Sequence, residues 1–524
     1  MDGGIVSAVG GGVRRRSMRA TIVGLLAVVV LAGSCSVPLL DDSANESTPA
    51  DDPTGDDGQP ADETAEGTDA GGTGTGGVGP LDRRPATCPF DVETVTEVEC
   101  GVVTLPGGGE DPDFTVEIMF ARFAATGEAD AVEPDPVVFL HGGPGGRAVE
   151  DAPWIYDDVV APHIASRDVI LYDQRGGGRS TPELRCSSAD LVSIRARAEA
   201  GTATRMVLAM EGALEECARR RFESGEIDPT AYSTIANVRD LVGLLAALDV
   251  DEYNIHGLSY GSRLAQAVLR DAPDGVRSVV LSGVYPTDVS PFHHVPATME
   301  TALDHIFVGC LADPDCGEAL SDPWASFEAL VADLDRKPTW VQGAPGRSEI
   351  TPEVFDGDRF LAAVHGTLYA RDGAGSITDL LIDVEAGDRS RLRRLADHSV
   401  GRPESLLTSL LVVCADEMAF PADRDDLIRP ERQFLAEWVD PVGLLGANTP
   451  RYCDALGVDW PADGQDDPVT WEVPTLILAG AADPITPARW ARLVADRLPR
   501  ARLVVNPAST HDADSGWCAS AALR

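Results

Sequence analysis

A serine between two glycines, Gly257-Leu258-Ser259-Tyr260-Gly261, lies where a strand-like run, Tyr253-Asn254-Ile255-His256, gives way to a helix-like run over 262–270. Small residues on both flanks allow a sharp turn between strand and helix, which lifts the Ser259 hydroxyl to where a base and a substrate can reach it. The chemistry this points to is acyl transfer. A serine hydroxyl is a poor nucleophile near neutral pH, so it requires a general base and a third group that orients the base. Five residues are a short pattern, and the strand before and helix after supply its weight.

Six histidines follow Ser259: His293, His294, His305, His365, His398 and His511. Only His511 follows a late strand-like run, in the loop Asn506-Pro507-Ala508-Ser509-Thr510-His511. His398 lies in arginine-rich helical sequence and the others in a helix-dominated stretch, so His511 is the expected base. Asp483 sits in a Gly- and Pro-bounded loop directly after the run Leu476-Ile477-Leu478. Its carboxylate is the expected orienting group, holding the imidazole in the tautomer that accepts the serine proton; the competing reading is a loop-capping aspartate. A tetrahedral intermediate also needs donors for its oxyanion. His141-Gly142-Gly143-Pro144-Gly145-Gly146 follows an apolar strand-like run, and glycines there let backbone N–H groups approach a substrate. One donor is expected from Gly142 or Gly143, the other from the Tyr260 N–H. A glycine-rich loop can also cradle phosphate, but the lysine of a phosphate loop is absent.

These residues need a scaffold. Residues 99–105 and 114–123 alternate in polarity around Pro106-Gly107-Gly108-Gly109, as in an antiparallel hairpin. Residues 136–140 and 168–172 are nearly continuous apolar runs, the mark of strands covered on both faces. A periodic segment at 238–248, a strand at 252–256, a helix at 264–270 and a strand at 278–282 then alternate. This pattern predicts a doubly wound, mostly parallel α/β sheet. From about 291 to 446 helical patterns dominate (296–312, 323–334, 356–368 and 377–385) before strands resume at 475–478 and 501–505. A helical insertion between strands of one sheet reads as a lid. The expected fold class is therefore an α/β-hydrolase fold with a helical lid, in which the triad runs in the order Ser, Asp, His.

His-Gly-Gly-Pro-Gly at 141–145, Asp173-Gln174-Arg175-Gly176-Gly177-Gly178-Arg179-Ser180 and Gly-Leu-Ser-Tyr-Gly at 257–261 resemble the prolyl iminopeptidase and tripeptidyl aminopeptidase family of α/β-hydrolase serine peptidases, with the exported actinobacterial type the nearer match. The resemblance runs over about 88–518, firmly at both ends and loosely across the lid. It implies release of short N-terminal peptides from oligopeptides through an acyl-enzyme on Ser259, with free-N-terminus peptides as partners and no cofactor. It also implies lid carboxylates that bind the substrate ammonium group; in Cys414-Ala415-Asp416-Glu417, Asp416 and Glu417 are the candidates, against a reading as solvated lid charges. The Asp173–Ser180 segment reads as structural, its arginines and glycines fixing the loop beneath the site. Relatives of this type carry a further helix and a terminal cysteine where this chain ends 13 residues after His511. A shortened C-terminus would leave the His511 loop poorly held.

The N-terminus reads as a targeting segment: Arg14-Arg15-Arg16 and Arg19, an apolar stretch over 20–32, then Gly33-Ser34-Cys35. The run is too short to favour a spanning helix. Leu31-Ala32-Gly33-Ser34-Cys35 resembles a lipoprotein signal with Cys35 as the lipidated residue, with Ala32 where leucine is usual; plain secretion is the alternative, and the arginines also suit a twin-arginine exporter. The expected division is a signal peptide over 1–34, an acidic disordered linker over 35–86, core over 87–290, lid over 291–446 and core again over 447–524. Ten cysteines show no C-x-x-C metal or redox pattern, and in an exported chain they read as disulfides. Neighbour pairing gives 88 with 100, 186 with 217, 310 with 316 and 414 with 453; with Cys35 set aside as the lipidated residue, Cys518 is left odd. No metal site is expected. A net charge of −43 excludes nucleic acid as a leading partner, and membrane contact is expected only through the lipid anchor. Two other functions fit parts of the pattern: a carboxylesterase on the same triad, and a catalytically silent envelope lipoprotein that binds through tether and lid. A serine nucleophile argues against the dehalogenase and epoxide hydrolase relatives, which use aspartate.

Overall fold

The computed structural model describes residues 82–90, 97–184, 203–289, 294–341, 353–369, 373–398, 406–417, 429–438, 449–456, 466–511, 513–514 and 523. All belong to the second of the two units into which the chain divides, Asp62–Arg524. The expected signal and most of the linker, with Cys35, Cys186 and Cys518, lie outside the described residues.

Nine strands form one sheet: β1 (Asp82–Pro85), β2 (Val98–Pro106), β3 (Thr115–Phe123), β4 (Val137–Leu140), β5 (Val169–Tyr172), β6 (Tyr253–Leu258), β7 (Val276–Ser282), β8 (Thr475–Gly480) and β9 (Ala501–Asn506), in the order β1-β2-β3-β5-β4-β6-β7-β8-β9. The first three strands and the β3–β5 pair are antiparallel, and every pairing from β5 to β9 is parallel. The expected hairpin and both-face-covered strands are present. Along β4, Val138 and Leu140 enter the hydrophobic cluster on one face while Val137 and Phe139 enter the cluster on the other. Alternating side chains on a sheet buried from both sides explain why the run is continuously apolar. The chain places β5 on one side of β4 and then β6 on the other, so the sheet order reverses beside β4. The carboxyl ends of these strands are where doubly wound sheets bind ligands.

Eleven helices of at least eight residues accompany the sheet among the described residues: α1 (Ala203–Glu223), α2 (Thr234–Ala247), α3 (Tyr260–Asp271), α4 (Val295–Ala312), α5 (Pro323–Arg336), α6 (Gly357–Thr367), α7 (Gly373–Glu385), α8 (Ser390–His398), α9 (Leu406–Glu417), α10 (Thr449–Leu456) and α11 (Ala488–Ala495). The Ser233 hydroxyl caps α2 by accepting from the Ala236 N–H, and Val238, Leu241, Leu244, Leu245 and Leu248 put a three-to-four-residue stripe into the main core. Helices α4 to α8 bury a second apolar cluster of their own, around Met299, Leu303, Phe307, Phe327, Phe360 and Leu381. Helix α9, though it falls within 291–446, packs Leu407, Leu410, Leu411 and Val412 into the main core.

Three of the expected disulfides are present, Cys88–Cys100, Cys310–Cys316 and Cys414–Cys453. Cys217 is also disulfide-bonded, and its expected partner Cys186 lies outside the described residues. Arg175 is fully buried and grips Asp240 of α2 with two bonds, Nε to Oδ2 at 2.7 Å and Nη2 to Oδ1 at 2.6 Å, while Nη1 donates to the Gly107 and Ala231 carbonyls. This ties the hairpin turn, α2 and the loop after β5 together, which is the structural role expected of that arginine.

Candidate active site

Ser259 is the residue between β6 and α3 and has φ 57° and ψ −124°, a conformation a non-glycine residue adopts only when its surroundings enforce it. The flanking glycines show what enforces it. A Cβ on Gly261 would lie 1.8 Å from the Leu140 carbonyl oxygen, and one on Gly257 would lie 2.6 Å from the Gly261 oxygen. The turn is pressed against the end of β4 so closely that only hydrogen fits. Ser259 N–H donates to the Ser282 carbonyl at 2.9 Å, and the Ser259 carbonyl accepts from Ser262 N and Oγ at 2.8 and 2.6 Å. These bonds fix the backbone and leave the half-buried side chain at the carboxyl end of the sheet.

Asp483 and His511 leave the adjacent parallel strands β8 and β9 at the same end. His511 Nδ1–H donates to Asp483 Oδ2 at 3.0 Å, and both residues are buried. The second carboxylate oxygen accepts from Ile485 N at 2.7 Å and Thr486 N at 3.0 Å. Burial pushes the Asp483 pKa up, but the His511 charge and these hydrogen bonds outweigh it and hold the carboxyl below its usual range. The carboxylate therefore stays ionised, keeps the proton on Nδ1 and leaves Nε2 as an acceptor. Gly283, next after the residue that anchors Ser259 N–H, lies under the imidazole: a Cβ there would be 3.1 Å from His511 Cε1.

Thr486 is a residue the sequence reading passed over. Its hydroxyl donates to Asp483 Oδ2 at 2.7 Å and lies 3.2 Å from His511 Nδ1, bridging acid and base. The signal was available in Asp483-Pro484-Ile485-Thr486, a turn in which an aspartate accepts from the backbone two and three residues on.

The glycine loop closes the other side. Gly142 is buried, and a Cβ on it would lie 2.9 Å from Ser259 Cβ and 3.5 Å from Ser259 Oγ. Gly143 has φ 128°, open only to glycine at ordinary cost. Tyr260 stands in the first turn of α3, where an N–H has no carbonyl within the helix to donate to. Gly142 and Tyr260, two of the residues expected to supply oxyanion donors, thus lie beside the serine.

Helical-insertion residues reach the same place. His511 N–H donates to the Leu368 carbonyl at 3.4 Å, and the Tyr369 ring stands edge-on to the His511 ring at 5.1 Å. His305 Nε2 lies 2.8 Å from the Pro507 carbonyl. His365 is half-buried edge-on to Tyr369 with its Nε2 shielded from water, and desolvation pushes its pKa down to about 4, so it is neutral at physiological pH.

Asp416 is buried, but its carboxylate is engaged: Oδ1 accepts from Thr234 N at 3.2 Å and Oδ2 from the Thr234 hydroxyl. Thr234 Oγ1 in turn lies 2.7 Å from the Tyr260 hydroxyl. The expected ammonium ligand therefore acts in this structure as a brace on α2 and on Tyr260. Glu417 ends α9, and its side chain lies outside the described residues. Among the described residues no cluster of His, Cys, Asp and Glu has the geometry to hold a metal.

Residues 135–306 match the family described as alpha/beta hydrolase fold, and 446–524 the family described as TAP-like protein. The chain is 24% identical over 407 residues to the serine protease Hip1 of Mycobacterium tuberculosis, covering 74% of this chain and 76% of that one. It is 27% identical over 443 residues to carboxylesterase B of the same species, covering 76% and 79%. A proline iminopeptidase of Xanthomonas citri is 30% identical over 150 residues, 29% of this chain and 32% of the relative. Fold, site and relatives define a serine-type hydrolase of the α/β-hydrolase fold. Within that class, the part of the chain over 446–524 is similar to TAP-like proteins.

Proposed function

We propose that the chain is an exported aminopeptidase that releases short peptides, tripeptides or a single residue, from the free N-terminus of oligopeptides. Ser259 Oγ attacks the scissile carbonyl and its proton passes to His511 Nε2. The C–N bond then breaks, the same proton goes to the departing amine, and water hydrolyses the Ser259 ester with His511 again as base. Asp483 stabilises the imidazolium, and Gly142 or Gly143 N–H with Tyr260 N–H receives the oxyanion. The observation that carries this reading is the ionised, buried Asp483 bonded to His511 at 3.0 Å at the same sheet end as the strained Ser259. The peptidase relatives support a peptide substrate. The disulfides and the leader residues support export, with Cys35 as lipid anchor; mass spectrometry of the mature N-terminus tests the anchor. No helix among the described residues is long and apolar enough to cross a membrane.

The test compares a tripeptidyl chromogenic amide with a free N-terminus, its N-acetylated copy, a prolyl amide and a short-chain ester. The free tripeptide amide should be cleaved fastest of the amides, and Ser259→Ala should abolish turnover. Equal rates on free and acetylated substrates would remove the aminopeptidase claim. The second reading, a carboxylesterase on the same three residues, is favoured by the 27% identical esterase relative. Ester turnover with no amide cleavage would establish it.

A further inference from the structure

We infer that Gln174 is the positioning residue of the oxyanion loop, an assignment that rests on the oxyanion role given to that loop above. The loop His141-Gly142-Gly143-Pro144-Gly145-Gly146 has almost no side chains with which to hold itself, and glycine gives the unfolded chain more freedom to lose than any other residue. Something outside the loop must define it. Gln174, in the turn after β5, is 1% exposed, and its amide takes the loop at both ends: Nε2 donates to the His141 carbonyl at 2.7 Å and Oε1 accepts from Gly145 N–H at 2.9 Å. Its own N–H donates to the Gly146 carbonyl at 2.9 Å. Between these anchors lie Gly142, against Ser259, and Gly143.

A neutral primary amide is the side chain that offers a donor and an acceptor from one planar end. Leucine of similar size would leave both loop groups buried and unpaired, and a carboxylate would face the His141 carbonyl with a second acceptor. Gln174 is itself held on a rigid template. The neighbouring Asp173 carboxylate accepts from Val149 N–H at 2.7 Å and Arg179 N–H at 2.8 Å, and Gly177 N–H donates to the Gln174 carbonyl at 3.0 Å. The side chain touches no reacting atom, so it acts through the loop.

Donors aimed at a developing oxyanion bind the transition state and not the ground state, so loosening them lowers kcat with little change in KM. Gln174→Leu and Gln174→Glu, each checked for folding by thermal melting, are compared with wild type on a short-chain ester and on the tripeptidyl amide. Affinity for an alkyl boronic acid, which becomes tetrahedral on the serine oxygen, is measured in parallel. We expect kcat to fall by about 30-fold in both variants, less than for outright loss of an oxyanion donor, with KM near the wild-type value and boronic acid affinity weakened by a similar factor. If the leucine variant does not fold, the isosteric glutamate variant carries the same readings. A folded variant with wild-type kcat and boronic acid affinity, or with its loss confined to KM, overturns the assignment. Turnover that depends on Ser259 but is indifferent to Gln174 overturns this inference alone; turnover that survives Ser259→Ala overturns the serine reading with it.

Discussion

At the scale of single residues, the acid of the site does more than face the base. Asp483 receives four hydrogen bonds, from Ile485 N, Thr486 N, Thr486 Oγ1 and His511 Nδ1, which is why a carboxylate with almost no contact with water remains ionised. Thr486 also approaches His511 Nδ1, so it limits rotation of the ring as well as the charge beside it. Thr486→Val removes one of the four bonds and keeps the shape. It should lower kcat by about tenfold, near the 1.4 kcal/mol of one modest buried hydrogen bond. Asp483→Asn, which destroys the tautomer preference, should lower it by about four orders of magnitude. Steady-state kinetics of the two variants checks the order; a threonine variant as damaged as the asparagine one would mean that the hydroxyl, not the carboxylate, orients the imidazole. The placement of Ser259, Asp483 and His511 at one end of the sheet was legible because each follows a strand and their order in the chain is fixed by the sheet. For Thr486 only the local turn was legible, since its contact with His511 depends on the fold bringing His511 back beside that turn.

At the scale of elements, α9 decides how the two walls of the site are joined. Ser409 Oγ donates to the Pro144 carbonyl at 2.6 Å, Thr408 Oγ1 to the Gly176 carbonyl at 2.9 Å, and Asp416 holds Thr234, which meets the Tyr260 hydroxyl. One helix thus contacts the glycine loop, the turn beneath it and the residue after the nucleophile. By position in the sequence it falls within the lid expected over 291–446. Its run Leu406-Leu407-Thr408-Ser409-Leu410-Leu411-Val412-Val413 has no charge and only two small hydroxyl residues among six aliphatic ones, which marks a helix buried all round. The Asp416–Thr234 contact spans 182 residues, a distance at which no local pattern speaks. Asp416→Ala should therefore cost about 1–3 kcal/mol in urea unfolding, by stranding the Thr234 donors. It should leave the ratio of free to N-acetylated peptide cleavage unchanged. A collapse of that ratio would restore Asp416 as the ammonium ligand. The Cys414–Cys453 bond closes a 39-residue separation from the end of α9 to α10, and replacing both cysteines with serine should lower stability by about 2–4 kcal/mol, the loop-entropy scale for that length. Unchanged unfolding in the double variant would show that α9 is held by packing alone.

At the scale of the whole molecule, buried titratable groups set how the fold answers to pH. Burial, with the charges of His256 and Arg167, lowers the His163 pKa to about 3, and burial lowers that of His365 to about 4. Asp173 is pushed up to about 7 by burial, against the hydrogen bonds from Arg179, Val149 and Glu150. Unfolded, the histidines would titrate near 6.5 and the aspartate near 3.9, by reference values that are approximate. Between those limits the unfolded chain binds a proton on each histidine and none on Asp173, while the folded chain keeps both imidazoles neutral and Asp173 protonated. The two imidazoles act in one direction and the carboxyl in the other, so across these three groups the unfolded state holds an excess of about one proton. The share of stability these three groups carry should then fall as pH drops from 6.5 toward 4.5, by about 1.4 kcal/mol per pH unit. The contribution of Asp173 has the opposite sign, present below its unfolded pKa and lost as pH rises through about 7. Urea unfolding at a series of pH values in molar salt, which screens the large acidic self-repulsion, measures the slope. His365→Leu should flatten the descent by removing one of the two protons, and Asp173→Asn should steepen it by removing the opposing one. A His365→Leu variant whose slope matches wild type would mean that this imidazole is already protonated in the fold. The site would then carry a cation behind Tyr369, where the structure has a neutral ring.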